Sequence, residues 1–286
     1  MNLKKFFISV SYGPLIALFL LAAWPLSTAA AEPGIIWGGP PQVKQVALTF
    51  DDGPSPRCTA KILSLLKQYQ AHGTFFVLGA HVERYPWLVQ AAIRDGNEVG
   101  NHSFAHPRLT KSDELSREQE LERTALDLEL LGYHPDRLLF RPPFSAYDGR
   151  LLAYLAHTHR QMVLWGIDSG DWRGLPAAAI VRNVLDRVRP GAIIIFHDCD
   201  EKEQADRGPT VEALKVILPA LKAAGYRMVT VSELVAGRNA MKRASSQSEP
   251  LLKQPVKPRL DPAGKNNIPV LYDNAGPHPG DDVQNP

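Results

Sequence analysis

Cysteine is scarce. Only Cys58 and Cys199 occur in 286 residues, and neither sits in a C-x-x-C or a catalytic-cysteine signature, which argues against a thiol nucleophile. Excess charge of one sign is missing as well. The chain carries 32 basic and 30 acidic residues. Loss of a leader holding Lys4 and Lys5 would leave 32 − 2 = 30 basic against the same 30 acidic residues. No basic field remains to recruit nucleic acid, and none of either sign points to an ionic polymer. A neutral glycan is compatible with that balance. Long apolar runs are lacking too: the stretch from about Tyr12 to Trp24 is broken at Pro14 and bounded by Pro25, too short for a comfortable membrane span. No internal repeat is visible.

What is present at the start is a basic, then apolar, then small-residue order: Lys4-Lys5, the Tyr12–Trp24 stretch, and Ala29-Ala30-Ala31 ahead of Glu32. That order reads as a secretory signal over residues 1–31, with an uncleaved anchor as the alternative, and places the protein outside the cytoplasm (periplasmic or secreted). Residues 32–42 read as a linker. With 44% hydrophobic and 22% charged residues, residues 43–236 can bury a core as one domain of roughly 200 residues. From 237 to 286, serines and prolines such as Pro250, Pro255, Pro258 and Pro262 punctuate a polar tail that reads as disordered.

Between those ends the periodicity switches repeatedly. Val43–Phe50, Thr74–Leu78, Glu98–Gly100, Arg137–Phe140, Met162–Gly166, Ala192–Phe196 and Arg227–Val231 read as strands. Thr59–Tyr69, Pro86–Asp95, Ser112–Leu131, Gly149–His157, Ala177–Arg187 and Thr210–Ala224 read as helices. Strands alternating with helices predict an α/β fold with a parallel sheet, open or closed.

Short polar clusters follow several of the strands: Asp51-Asp52, His102 with His106, Arg141, Asp168 with Asp171, and His197. In (β/α) barrels, strand C-terminal ends are where active sites are built. The i,i+4 spacing of His102 and His106 suggests two imidazoles on one face of a helical turn, stopped by Pro107. A carboxylate from Asp51 or Asp52 would complete a ligand set with open positions, the pattern of a catalytic metal. Adjacent carboxylates can divide labour, one ligating and the other taking a proton from water. Taken singly, the Asp-Asp-Gly-Pro run is an ordinary turn and His197 an ordinary core histidine. The two cysteines each lie just beyond a polar cluster, close enough in this arrangement to pair in an oxidising compartment or to remain free.

Thr49-Phe50-Asp51-Asp52-Gly53-Pro54-Ser55, His102-Ser103-x-x-His106, Arg141-Pro142-Pro143-Phe144, Asp168-x-x-Asp171-Trp172 and Ile193-Ile194-Ile195-Phe196-His197-Asp198 resemble, in order, the five motifs of the NodB-homology polysaccharide deacetylases. The resemblance spans about Val43 to Val235. It implies a distorted, incomplete (β/α) barrel and a divalent metal, zinc or another ion such as cobalt, on Asp52, His102 and His106. Asp51 then resembles the general base, Arg141 the residue that keeps it ionised and His197 the general acid oriented by Asp171. The Phe144 N–H is placed as oxyanion donor, with Trp172 and Ile195 as the wall that receives the acetyl methyl. Strand alternation agrees for Ile195, since Ile193, Ile195 and His197 project to one side. The implied reaction is hydrolysis of N-acetyl groups on glycans containing N-acetylglucosamine, with an O-acetyl esterase or an inactive glycan-binding module as alternatives.

Phe144-Ser145 departs from the family's usual aromatic-glycine pair, which leaves less backbone freedom and, with Phe, no phenolic hydroxyl for a sugar. Two other classes fit less well. A metal oxygenase shares the two-histidine, one-carboxylate set but not this strand–helix alternation, and a glycoside hydrolase needs an acid pair but no histidine pair.

Overall fold

The computed structural model describes residues 34–237; the expected signal and nearly all of the expected tail lie outside them. Eight strands form one parallel sheet: β1 (Gln45–Asp51), β2 (Gly73–Val77), β3 (Glu98–Asn101), β4 (Leu139–Phe140), β5 (Gln161–Met162), β6 (Ile167–Asp168), β7 (Ala192–His197) and β8 (Arg227–Met228). The α-helices that accompany them include α1 (Thr59–Tyr69), α2 (Gly79–Arg84), α3 (Pro86–Arg94), α4 (Glu114–Leu130), α5 (Gly149–His157), α6 (Ala177–Leu185) and α7 (Gly208–Ala223), and residues 231–237 are helical as well. The strand order is β5-β4-β3-β2-β1-β7-β6, with β8 paired to the start of β1. The two ends of that order, β5 and β6, do not pair with each other. This is the expected α/β architecture, a distorted and incomplete barrel.

The opening has a physical cause in the segment expected to form one strand over 162–166. Instead the chain forms β5 and β6 separately. Between them Val163 bridges Ile36, and the Leu164 N–H donates to the Ile36 carbonyl at 2.8 Å. Gly38 bridges Ala192. Residues just before β1 thus supply main-chain partners that neighbouring strands would supply in a closed barrel.

Alternation along the central strands creates two layers. Val46, Leu48 and Phe50 of β1 join Ile194 and Phe196 of β7 in a core shared with α1, α6 and α7. The Phe50 ring stacks on Phe75 at 4.9 Å and on Phe196 at 5.7 Å, offset pairs that add to the area they bury. Ala47 and Ile193 alternate to the barrel interior with Phe76 and Val163. Beneath α4 and α5 lies a third cluster, Leu121, Phe140, Leu151 and Leu155. Both helices are capped by acids: Asp113 accepts from the Ser116 N–H and Asp148 from the Leu151 N–H.

The parallel register brings the strand ends to one rim. Asp51 is the direct partner of His197, and Asn101 of Phe140. The residue after each, or the pair itself, is polar: Asp52, His102, Arg141 and His197 all stand at this edge. None of the helices among the described residues is long and apolar enough to cross a membrane.

Candidate metal centre and active site

Of the ten site residues expected from sequence, all but Arg141 and Asp171 line one cavity of about 430 Å³ at the rim. Those two stand behind it, buried, each touching a lining residue.

Asp52, His102 and His106 offer ligand atoms that lie within 4.8 Å of one another. Both imidazole Nε2 atoms are 3.4 Å from Asp52 Oδ1. That is long for a hydrogen bond, but ligands about 2.0–2.1 Å from one ion at tetrahedral angles stand about 3.3 Å apart. Asp52 Oδ1 is buried with no hydrogen-bond partner, an orphan that a cation would satisfy. Burial alone would raise the Asp52 carboxyl; the surrounding His102, His197 and His106 instead hold it well below the usual carboxylate range. Burial and the neighbouring His102 lower His106, against the pull of Asp52, which favours the neutral ligating form. The His102 Nδ1–H donates to the Arg141 carbonyl at 2.7 Å, leaving Nε2 as the lone-pair atom facing the cavity. The donor set therefore fits a divalent ion.

The histidines do not reach this geometry as a helical turn. Residues 102–107 form an irregular loop after β3, with Ser103 and His106 at φ 70° and 61°. The rings meet at 5.1 Å because the loop folds back, pinned where the Phe104 and Ala105 N–H groups both donate to Glu120 of α4.

Behind the metal site, the fully buried Arg141 donates from Nη1 to Asp51 Oδ1 at 2.6 Å and to the Thr49 hydroxyl at 2.8 Å. Its guanidinium sits over the Phe76 ring at 4.1 Å. Burial lowers the Arg141 pKa while Asp51 opposes that shift. Asp51 Oδ1 is thereby occupied, and Oδ2 faces His102 Nε2 at 3.8 Å.

Across the cavity, His197 Nδ1–H donates to Asp171 Oδ1 at 2.9 Å and the His197 backbone N–H to Oδ2 at 2.8 Å. Thr210 donates to the same Oδ2, and Arg207 holds the Asp171 carbonyl. Burial disfavours a charged His197, but Asp171, with Asp52 and Asp51 behind it, raises its pKa to about 9. Trp172, just over half exposed, donates from its indole N–H to Asp168 at 3.2 Å, and Ile195 is buried in the wall. Phe144 adopts φ 58°, ψ 17°. Its ring packs on His106 at 4.6 Å, and its backbone N–H makes no main-chain or side-chain hydrogen bond among the described residues.

Several residues at the site were not anticipated from sequence. His81 of α2 is buried and donates from Nδ1 to the Asp52 carbonyl at 2.8 Å, holding a ligand residue whose φ is 74°. Trp165, Ser145, Asp200, Glu201 and Arg207 also line the cavity. Asp200 and Glu201 follow the end of β7 and Ser145 the end of β4, so their positions carried a signal that the motif residues ahead of them overshadowed; Trp165 and Arg207 carried none. Asp198 packs against Gly53, where any Cβ would overlap its carboxylate. Burial raises that carboxyl to about 7, the charges of Asp52 and Asp51 adding and the Thr59 hydrogen bond opposing. Cys58 and Cys199 are both free and buried, so the possible disulfide is not formed. The two thiols flank Asp198, whose charge adds to burial in raising both of their pKa values, Cys199 to about 12.

Comparison with known proteins identifies the family. The polysaccharide deacetylase family profile matches residues 38–163. A peptidoglycan-N-acetylglucosamine deacetylase of Bacillus cereus is 38% identical over 205 residues, covering 70% of this chain and 92% of that protein. A chitooligosaccharide deacetylase of Rhizobium leguminosarum bv. trifolii is 34% identical, covering 65% of this chain and 89% of its own. The crystal structure of peptidoglycan deacetylase PdaC from Bacillus subtilis superposes with a TM-score of 0.65 at 34% identity, over 73% of this chain and 97% of that one. Sequence and fold agree: the chain belongs to the polysaccharide deacetylase family, of NodB-homology type.

Proposed function

We propose that this protein is an exported, metal-dependent glycan de-N-acetylase that releases acetate from N-acetylglucosamine-containing polymers. The observation that carries the reading is the pair of imidazole Nε2 atoms, of His102 and His106, each 3.4 Å from Asp52 Oδ1, with a carboxylate and a histidine on either side of the three. A divalent ion, zinc or cobalt, held by Asp52, His102 and His106 supplies Lewis-acid polarisation of the acetamide carbonyl and acidifies the attacking water.

The rest of the chemistry belongs to the side chains. Asp51 takes the water proton on Oδ2, because Arg141 occupies Oδ1 and fixes the carboxylate's orientation. The hydroxyl adds to the carbonyl carbon, and the Phe144 N–H stands ready to donate to the carbonyl oxygen as it gains charge. His197 enters the reaction protonated. With Nδ1 committed to Asp171, it donates the Nε2 proton to the departing nitrogen as the C–N bond breaks. Acetate and a free amine result. Trp172 and Ile195 give the acetyl methyl an apolar wall.

Export is supported by the basic, apolar and small-residue order of residues 1–31, and by relatives named for peptidoglycan, an extracytoplasmic polymer. The test is acetate release from chitin oligomers, peptidoglycan, poly-N-acetylglucosamine and acetylated xylan, run beside Asp51→Asn. Release from one of the N-acetylated substrates, lowered about 10²- to 10⁴-fold in the variant, is the expected result. Release from acetylated xylan alone would make the protein an O-acetyl esterase, and no release from any of the four would return the fold to a binding role.

A further inference from the structure

Ser145 occupies a backbone conformation that glycine would hold without strain. Its φ is 54°, directly after Phe144 at φ 58°, so two successive L-residues are left-handed on the wall of the cavity. A side chain in that region meets steric strain that glycine avoids, and such strain concentrates where a site needs a particular group in place. The loop is held by its main chain: the Ser145 N–H donates to the Pro142 carbonyl and the Ala146 N–H to the Pro143 carbonyl, both at 3.1 Å. The Ser145 hydroxyl makes no hydrogen bond among the described residues, although serine hydroxyls can both donate and accept. It is half-buried and lines the same cavity as Asp51, Asp52, His102 and His106. Its neighbour Phe144 offers only an apolar ring, packed on His106 and approached by Arg108 at 4.8 Å.

We propose that Ser145 is a specificity-determining residue whose hydroxyl bonds a ring hydroxyl of the acetamido sugar seated at the metal centre. The inference rests on the deacetylase reading and deepens it. It makes the enzyme recognise the pyranose, not only the acetyl group. A glycine there would free the backbone and lose the contact.

Three proteins test this: wild type, Ser145→Ala, which keeps the Cβ and the left-handed strain, and Ser145→Gly, which removes both. Each is assayed on chitotetraose and on 4-nitrophenyl acetate, which has an acetyl group and no sugar. A lost neutral hydrogen bond corresponds to roughly a two- to tenfold effect. Both variants should raise KM for chitotetraose by about that factor with kcat nearly held, and lower the chitotetraose to 4-nitrophenyl acetate ratio of kcat/KM equally. Titration calorimetry of chitotetraose into the Asp51→Asn protein, with and without Ser145→Ala, should show the same loss of affinity without turnover. Ser145→Gly should also melt higher, because the strain is gone. The proposal falls if Ser145→Ala binds and cleaves chitotetraose as wild type does, or if its losses on the two substrates are equal. Wild-type protein that neither binds nor cleaves any N-acetylated glycan would overturn the deacetylase reading itself, and this one with it.

Discussion

Arg141 and Asp51 form a buried ion pair, Nη1 to Oδ1 at 2.6 Å, while the Arg141 carbonyl receives the Nδ1–H of His102. One residue thus positions the expected base through its side chain and an expected metal ligand through its backbone. Arg141→Ala strands the Asp51 carboxylate inside the protein. Removing one partner of a buried pair costs about 3–5 kcal/mol, so denaturant unfolding of the metal-free variant should show a loss of that size. A loss under 1 kcal/mol would mean that the pair is already solvated.

The Asp171–His197 pair gives a pH-dependent signature. His197 has a folded pKa of about 9, above its unfolded value of about 6.5, so the folded state holds the proton more tightly. The stabilisation is complete below about pH 6.5 and is lost as pH rises through about 9. Metal-free protein should therefore lose stability over that window, and Asp171→Asn should flatten the loss. In turnover, Asp171→Asn should move the alkaline limb of the rate profile to lower pH. An unmoved limb would take His197 out of the acid role.

Gly53 faces the Asp198 carboxylate with no room for a Cβ. Gly53→Ala must displace either Asp198 or the Asp51–Asp52 turn, an overpacking expected to cost about 1–3 kcal/mol. Melting curves with and without zinc should show a larger deficit in the loaded protein, since the ligand Asp52 moves with the turn. Equal deficits would confine the damage to the Asp198 side.

Both cysteines are buried thiols whose pKa values burial raises, and thiolate is the reactive form. Folded protein should resist iodoacetamide at neutral pH, and denatured protein should take up two labels per chain. Mass spectrometry showing a Cys58–Cys199 disulfide in protein exported by cells would contradict the structure.

Much of this site was legible in the sequence because parallel strands carry their C-terminal residues to one rim. Asp51, Arg141 and His197 needed only their positions after apolar runs, and α1 and α5 match their expected spans residue for residue. The histidine pair was found for a reason the structure does not keep. Spacing suggested a helical turn, whereas the rings converge through a loop with two left-handed residues. Met162–Gly166 failed as one strand because Val163 pairs with Ile36, a partner from before β1 that no local pattern announces. Six-residue α2 shows too little periodicity to read, and with it went His81, the buried support of Asp52.

Most direct of all is the dependence of acetate release on a divalent ion. Protein stripped by a chelator and dialysed should release no acetate from an N-acetylated glycan that the loaded enzyme cleaves, and zinc or cobalt should restore the rate. Asp52→Ala, missing the carboxylate shared by both imidazoles, should bind neither ion tightly in calorimetry and should not be rescued. Full activity in strictly metal-free protein would contradict the account at its centre.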